Sequence, residues 1–177
     1  MEIIAAIVGS SLVTGIVTTG INQWLISRKE KRTSKAKALE FAVKLEGFAL
    51  DCANLISGVD GDGHFAPRET IICIPEPPKI EISTSYISSN EKINLSDEIL
   101  CFPQFVIQSN DHIQHYMNFI GDHDQAGEVA IYEAKSSGNK ALDLAFRLRN
   151  LYGLSSRSLV FGKYDARNIL KEGFREP

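Results

Sequence analysis

The feature of this sequence that most constrains its fold is a long apolar segment near the N-terminus. Residues 3–27 contain no charged residue and no proline. A helix of that length rises roughly 37 Å, enough to cross the hydrocarbon core of a bilayer with some tilt. A cleaved signal peptide would need positive charge before the segment and a small-x-small site after it, and neither is present. We therefore predict a transmembrane anchor over residues 1–27, since so long an uncharged helix is unusual in the core of a small soluble domain.

The charges after this segment are unevenly distributed. Residues 28–44 hold seven basic and two acidic side chains, whereas residues 45–177 hold 12 basic and 19 acidic ones. Basic residues flank transmembrane helices on the cytoplasmic side. The pattern predicts a single-pass protein of the inner (cytoplasmic) membrane, with its N-terminus outside, a basic juxtamembrane collar at 28–37 and a cytoplasmic domain at 38–177. The collar side chains predicted to contact anionic lipid headgroups are Arg28, Lys29, Lys31 and Arg32.

Small and polar residues form a stripe along the predicted anchor. Ser11, Gly15, Thr18, Thr19 and Asn22 recur at spacings of three and four, so they share one helix face. Transmembrane helices associate through such faces, because small residues permit close approach and polar ones form hydrogen bonds between helices. The stripe predicts a homo-oligomer through the anchor. The alternative is that Ser and Thr satisfy only their own helix backbone.

Apolar periodicity predicts that the rest of the chain is mainly α. Apolar residues recur at three and four positions from 38 to 57, which indicates one buried helix face. A Pro-rich loop over about 58–95 follows, then a capped turn from Ser96 and a helix that starts at Pro103 and stops at 121–122. A helix over 124–153 and a short one over 165–171 complete the prediction. We expect a single N-terminal transmembrane helix followed by a small antiparallel helical bundle.

The densest group of polar residues that could carry chemistry lies at 111–124. His112 and His115 are three residues apart on one helix face, and Asp122 and His123 follow, so they are the candidate metal ligands. HExxH is missing, and solvated side chains at a helix end explain the group more simply. The cysteines at 52, 73 and 101 are odd in number and widely spaced, which favours reduced thiols. No catalytic residue, assigned metal site or cofactor is predicted.

Several segments resemble an uncharacterised family of short single-pass bacterial membrane proteins with a cytoplasmic helical domain. Besides the apolar N-terminus and the basic collar, these are 39–49 (LEFAVKLEGFA), 74–78 (IPEPP), 100–103 (LCFP), 119–122 (FIGD) and 141–154 (ALDLAFRLRNLYGL). None of these segments is a catalytic signature. The resemblance therefore implies an architecture and no activity.

These observations favour a non-enzymatic interaction module, anchored in the membrane and facing the cytoplasm. Its predicted partners are membrane lipid, an unknown protein and a second copy of itself, whereas the acidic domain excludes nucleic acid because it repels phosphates. One alternative is a membrane-tethered metal-dependent enzyme using His112, His115 and His123. Another is a small pore-forming membrane protein that acts through the stripe of small residues.

Overall fold

The computed structural model describes the backbone of residues 2–58, 73–80, 90–120 and 123–172. Side chains are described for 26–58, 73–80, 93–119 and 125–172. The chain forms two compact units, Met1–Lys37 and Ala38–Pro177. Mainly helical structure is confirmed, with helices α1 (Glu2–Ser57), α2 (Asn90–His115), α3 (His123–Leu151) and α4 (Ala166–Glu172).

The first unit contains the N-terminal part of α1. From 26 to 37 most side chains are exposed, and the Thr33 hydroxyl donates to the Lys29 carbonyl at 3.0 Å. Among the residues whose side chains are described, no helix has the length and apolar character required of a membrane span. Side chains of 1–25 lie outside the described residues, and with them Ser11, Gly15, Thr18 and Asn22.

The second unit begins with the predicted apolar face of α1, and this prediction is confirmed. Its buried members are Ala38, Phe41, Ala42, Leu45, Phe48, Ala49, Cys52, Ala53 and Ile56. The helix ends at Ser57, and Gly58 follows with a φ of 69°. Glycine suits this position because the left-handed region carries no steric penalty without a Cβ.

Helix α2 begins at Asn90, earlier than the predicted end of the loop at 95, and it continues through Pro103. The predicted helix start at Pro103 and cap at Ser96 are therefore wrong. A proline inside a helix costs about 3 kcal/mol, but Ile99, Phe102 and Val106, which precede and follow it in α2, are fully buried and stabilise the helix. Ser96 is buried within α2, and its hydroxyl has no hydrogen-bond partner among the described residues. The free energy gained by burying apolar side chains before and after the proline outweighs the cost of the proline.

Apolar periodicity missed two elements, a π-helical turn after α2 and a pair of short strands after α3. Helix α2 passes into a π-helical turn, Tyr116–Ile120, before α3 begins. After α3, strands β1 (Val160–Phe161) and β2 (Tyr164–Asp165) pair antiparallel, with Val160 opposite Asp165 and Phe161 opposite Tyr164. Helix α4 follows directly and confirms the predicted short final helix. Two-residue strands are too short for apolar alternation to reveal them.

Helix α3 packs closely on α1 and α4 at Gly138. A Cβ added there would lie 2.5 Å from Leu170 Cδ2 and 3.1 Å from Cys52 Cβ. A methyl group at this Cα would therefore require the buried Leu170 side chain to move. Gly138 of α3 lies near Cys52 of α1, whereas Arg149, later in α3, pairs with Glu46, earlier in α1. The order of the contacts is reversed, so α1 and α3 run antiparallel.

Helices α2 and α3 are also antiparallel, because Glu98 contacts Arg147 whereas Ser109 contacts Glu133. Consequently α1 and α2 run in the same direction, so the predicted antiparallel bundle is correct for the pairs α1–α3 and α2–α3 and wrong for the pair α1–α2. Two parallel helices need a long connection, and residues 58–89 separate them in the sequence.

Part of that connection is fixed by one asparagine. The Asn110 side chain accepts from the Ile74 N–H at 2.9 Å and donates to the Ile74 carbonyl at 3.4 Å. Ile74 itself is buried, and Lys44 Nζ donates to the Lys79 carbonyl at 3.0 Å. These bonds hold the Pro-rich segment 73–80 on the helices.

Candidate functional site

One polar cluster joins α2 and α3 around the carboxylate of Glu133. The Ser109 hydroxyl donates to Glu133 Oε2 at 2.7 Å, and His112 Nδ1 lies 2.8 Å from Glu133 Oε1. Ser109 is buried, the Glu133 side chain is 12% exposed and the His112 side chain is 49% exposed. Each oxygen of one carboxylate is therefore used by a different α2 side chain.

This order of contacts does not activate a nucleophile. In a serine nucleophile the hydroxyl donates to an imidazole, and a carboxylate orients the opposite side of that ring. Here Ser109 and His112 both bind Glu133, so the acid lies between the hydroxyl and the base. The cluster joins two helices and leaves the outer part of the imidazole ring accessible.

The second predicted histidine, His115, contacts aromatic rings. His115 stacks on Phe119 with ring centroids 4.8 Å apart and meets Tyr116 edge to face at 6.4 Å. Phe119 belongs to the π-helical turn and is 80% exposed. π-Helical turns are frequent at functional sites. The exposed Phe119 ring is therefore part of the candidate functional site.

The predicted metal ligands are only partly within the described structure. His112 binds Glu133, whereas His115 stacks on an aromatic ring. Side chains of Asp122 and His123 lie outside the described residues. In the described part of the chain, no three His, Cys, Asp or Glu side chains converge as metal ligands. The four residues therefore stay candidate ligands, and no metal site is assigned to them.

A second cluster is built on a buried ion pair between α1 and α3. Arg149 Nε and Nη2 donate to the two oxygens of Glu46 at 2.6 and 2.8 Å, and Nη1 donates to the Ser155 carbonyl at 2.6 Å. Both charged side chains are less than 10% exposed. Hydrogen bonding to Glu46 raises the pKa of Arg149. The pair thus fixes α1, α3 and the chain after α3 together.

A cavity of about 30 Å³ lies beside this pair. It is lined by Glu46, Arg149, Arg157 and Arg167, by Asn150 and Ser156, and by Leu142, Phe146 and Leu154. Arg157 Nη1 is 3.8 Å from Glu46 Oε2, which is too long for a hydrogen bond. The cavity is therefore lined by three arginines together with apolar side chains.

Another arginine on α3 pairs at the surface. Arg147 Nη1 and Nη2 donate to the two oxygens of Glu98 at 2.6 and 2.7 Å, and Asp143 is 3.4 Å from Arg147 Nη1. These side chains are about 40% exposed or more. The hydrogen bond from Arg147 lowers the pKa of Glu98 despite partial desolvation. This contact links α2 to α3 in solvent, so salt screens it.

Helix α2 also carries an exposed apolar line. Ile93, Leu100 and Ile107 are seven residues apart and are 45%, 50% and 45% exposed. Asp97 and Asp111 are exposed beside this line. A seven-residue repeat places these apolar side chains on one face of a helix.

Similarity to other proteins assigns no role to these clusters. Comparison of the chain with family models, curated proteins and solved structures gave no match. The family resemblance of segments such as 39–49 stays a prediction.

Sequence reasoning identified His112 and His115 but missed the arginine cluster. The partners Glu46 and Arg149 are separated by 103 positions. A charged residue at a core-facing position of each helix was the available signal, because such residues are rarely buried unless paired. That signal marks two buried charges without showing that they meet.

Proposed function

We propose that this protein is a non-enzymatic binding module, tethered to the cytoplasmic face of the inner membrane by residues 1–27. The observation that carries the tether is the uncharged segment 3–27, followed at once by the basic collar. Such a segment is long enough to span a bilayer, and the collar orients it. Arg28, Lys29, Lys31 and Arg32 then lie where anionic headgroups attract them.

Binding rather than catalysis is supported by how the polar groups of the domain are used. Ser109 donates to Glu133 instead of to an imidazole, and the carboxylates of Glu46 and Glu98 are engaged by arginines. Each contact joins two helices. These polar groups therefore hold pairs of helices together in the folded domain.

The proposed partner is an amphipathic helix with an apolar seam and basic flanks. Its seam would cover Ile93, Leu100 and Ile107, whose spacing matches that of a facing helix. Its Lys or Arg side chains would lie near Asp97 and Asp111. Complementary charge along the flanks sets specificity and orientation.

The tether is tested by carbonate extraction of membranes that contain the full chain. We expect the chain to stay in the pellet, and Ile7→Lys with Val17→Lys to release it because two charges enter the apolar segment. Ser34→Lys with Ala36→Lys adds the same charge within the collar and serves as the control. Release of the unaltered chain would contradict the tether, and a periplasmic reporter signal from a fusion at Pro177 would contradict its orientation.

The partner is tested with synthetic heptad peptides and the full chain held in a nonionic amphipol. A Leu-seam peptide with Lys flanks should bind at least about tenfold tighter than the same peptide with Glu flanks. Leu100→Asp should weaken that binding, whereas Tyr132→Asp, an exposed position on α3, should not. Equal binding of both peptides would contradict the proposal.

Self-association is proposed to involve the anchor. Replacing Gly15 and Thr18 with Leu should reduce crosslinked dimers in membranes, because bulky side chains prevent close approach of two helices. Replacing Val13 and Val17 with Leu, two positions on the opposite helix face, is the matched control. An unchanged dimer fraction in the first variant would contradict this interface.

A further inference from the structure

We infer that the arginine-lined cavity beside the Glu46–Arg149 pair is a binding site for the terminal group of a phosphate monoester. The site is formed by α1, α3, the chain after α3 and α4. It is distinct from the exposed line on α2, so this inference goes beyond the proposed helix partner. Neither depends on the other.

The charges around the cavity are unbalanced. Arg149 is matched by Glu46 through two hydrogen bonds. Arg157 lies 3.8 Å from a Glu46 oxygen that Arg149 already uses, and Arg167 has no ion-pair partner among the described residues. Three arginines and one glutamate line the cavity, which leaves a formal excess of two positive charges in a chain whose overall charge is −3.

That excess fits a phosphate monoester better than a carboxylate. A monoester carries roughly −1.5 to −2 at neutral pH and presents three acceptor oxygens. Guanidinium groups bind such oxygens in pairs through charge-assisted hydrogen bonds. A carboxylate ligand would leave one cation unmatched beside apolar walls.

Size restricts what enters the site. The cavity volume of about 30 Å³ has room for about two water molecules, on the scale of one small oxyanion. Leu142, Phe146 and Leu154 form apolar walls, which lower the local dielectric and strengthen the charge interaction. Only a terminal phosphate enters, while the rest of its carrier, a soluble metabolite or a lipid headgroup, stays outside.

The test is calorimetric titration of inorganic phosphate into the full chain in a nonionic amphipol at constant ionic strength. We expect saturable binding at one site. Arg157→Gln and Arg167→Gln should each weaken it at least about tenfold, since each removes a charge-assisted contact. Lys171→Gln removes the same charge from an exposed position on α4 and should leave binding unchanged. Arg149 is retained in all variants, because its loss would leave Glu46 buried and unpaired.

Two short-chain lipids identify the source of the phosphate group. Dihexanoyl phosphatidic acid has a monoester headgroup, and dihexanoyl phosphatidylglycerol has a diester. Tenfold tighter binding of phosphatidic acid than of inorganic phosphate would support the inference with a lipid source, and similar binding would support it with a soluble source. Absence of saturable binding, equal affinity in the arginine variants, or equal binding of the diester would overturn it.

Discussion

The substitution Glu46→Gln tests how much stability the buried ion pair contributes, and the chain contains its own control. Glu46 pairs with Arg149, and Glu98 pairs with Arg147, each through two hydrogen bonds of 2.6–2.8 Å. Side-chain exposure is 8% and 6% in the first pair but 39% and 43% in the second. The two pairs thus share a geometry and differ in burial.

Burial decides the expected magnitude. Removing one partner of a buried pair costs about 3–5 kcal/mol, because the other charge stays desolvated and unmatched. Glutamine retains one acceptor, and Arg149 keeps its bond to the Ser155 carbonyl, so we expect about 3 kcal/mol for Glu46→Gln. Glu98→Gln should cost less than about 1 kcal/mol, since water and salt screen the exposed pair.

Urea unfolding of the full chain in a nonionic amphipol, followed by circular dichroism, measures both losses. Repetition at several pH values adds a check on Glu98, whose pKa is lowered in the folded state. A lowered folded pKa means that its contribution is complete above the ordinary value of about 4.5 and is lost as the pH falls through the folded pKa. Stabilities of the unaltered chain and Glu98→Gln should therefore converge in acid.

Equal losses of stability in the two variants would show that burial does not set the contribution of an ion pair. A second variant separates pairing from packing. Glu46→Leu with Arg149→Met removes both charges and keeps apolar volume, so it should be more stable than Glu46→Gln. If the double variant were the less stable of the two, hydrogen bonding rather than charge desolvation would dominate.

Three further predictions concern packing, the ordered loop segment and thiol reactivity. Gly138→Ala places a methyl group 2.5 Å from an α4 side-chain carbon and should lower the free energy of unfolding by about 1–3 kcal/mol. Gly47→Ala meets nothing within 4 Å and should raise it by roughly 0.5–1 kcal/mol; similar values in urea unfolding would contradict the close packing. Asn110→Ala removes both bonds to Ile74 and should accelerate hydrogen exchange at that amide about tenfold, so an unchanged rate would contradict the anchoring. Ellman's reagent should label the two exposed cysteines and spare Cys52, whose pKa burial raises to about 12; rapid labelling of all three would contradict its burial.

The spacing of apolar residues was sufficient to predict helices α1 and α3 of the domain. The face that begins at Ala38 and Phe41 is buried as predicted, and α3 starts and ends within two residues of the predicted bounds. Such faces repeat every three or four residues, so neighbours in the sequence carry the signal. Gly58 and Gly153, both with positive φ, mark helix ends for the same local reason.

Helix-breaking residues gave a wrong prediction where tertiary packing stabilises the helix. Pro103 lies inside α2 because Phe102 packs against Phe48 of α1, with ring centroids 5.3 Å apart. The contact joins residues far apart in sequence. No property of the local segment reveals it, so the local signals predict a helix start at Pro103.

The helical class and the buried faces of α1 and α3 follow from the sequence alone, because each depends on residues a few positions apart. Which charged side chains form pairs depends instead on how the helices pack. Glu46 and Arg149 are 103 positions apart, and the cavity forms only when Arg157 and Arg167 are brought beside them by the packing of α1, α3 and α4. Pairing of distant side chains depends on helix direction and rotation, which periodicity does not encode.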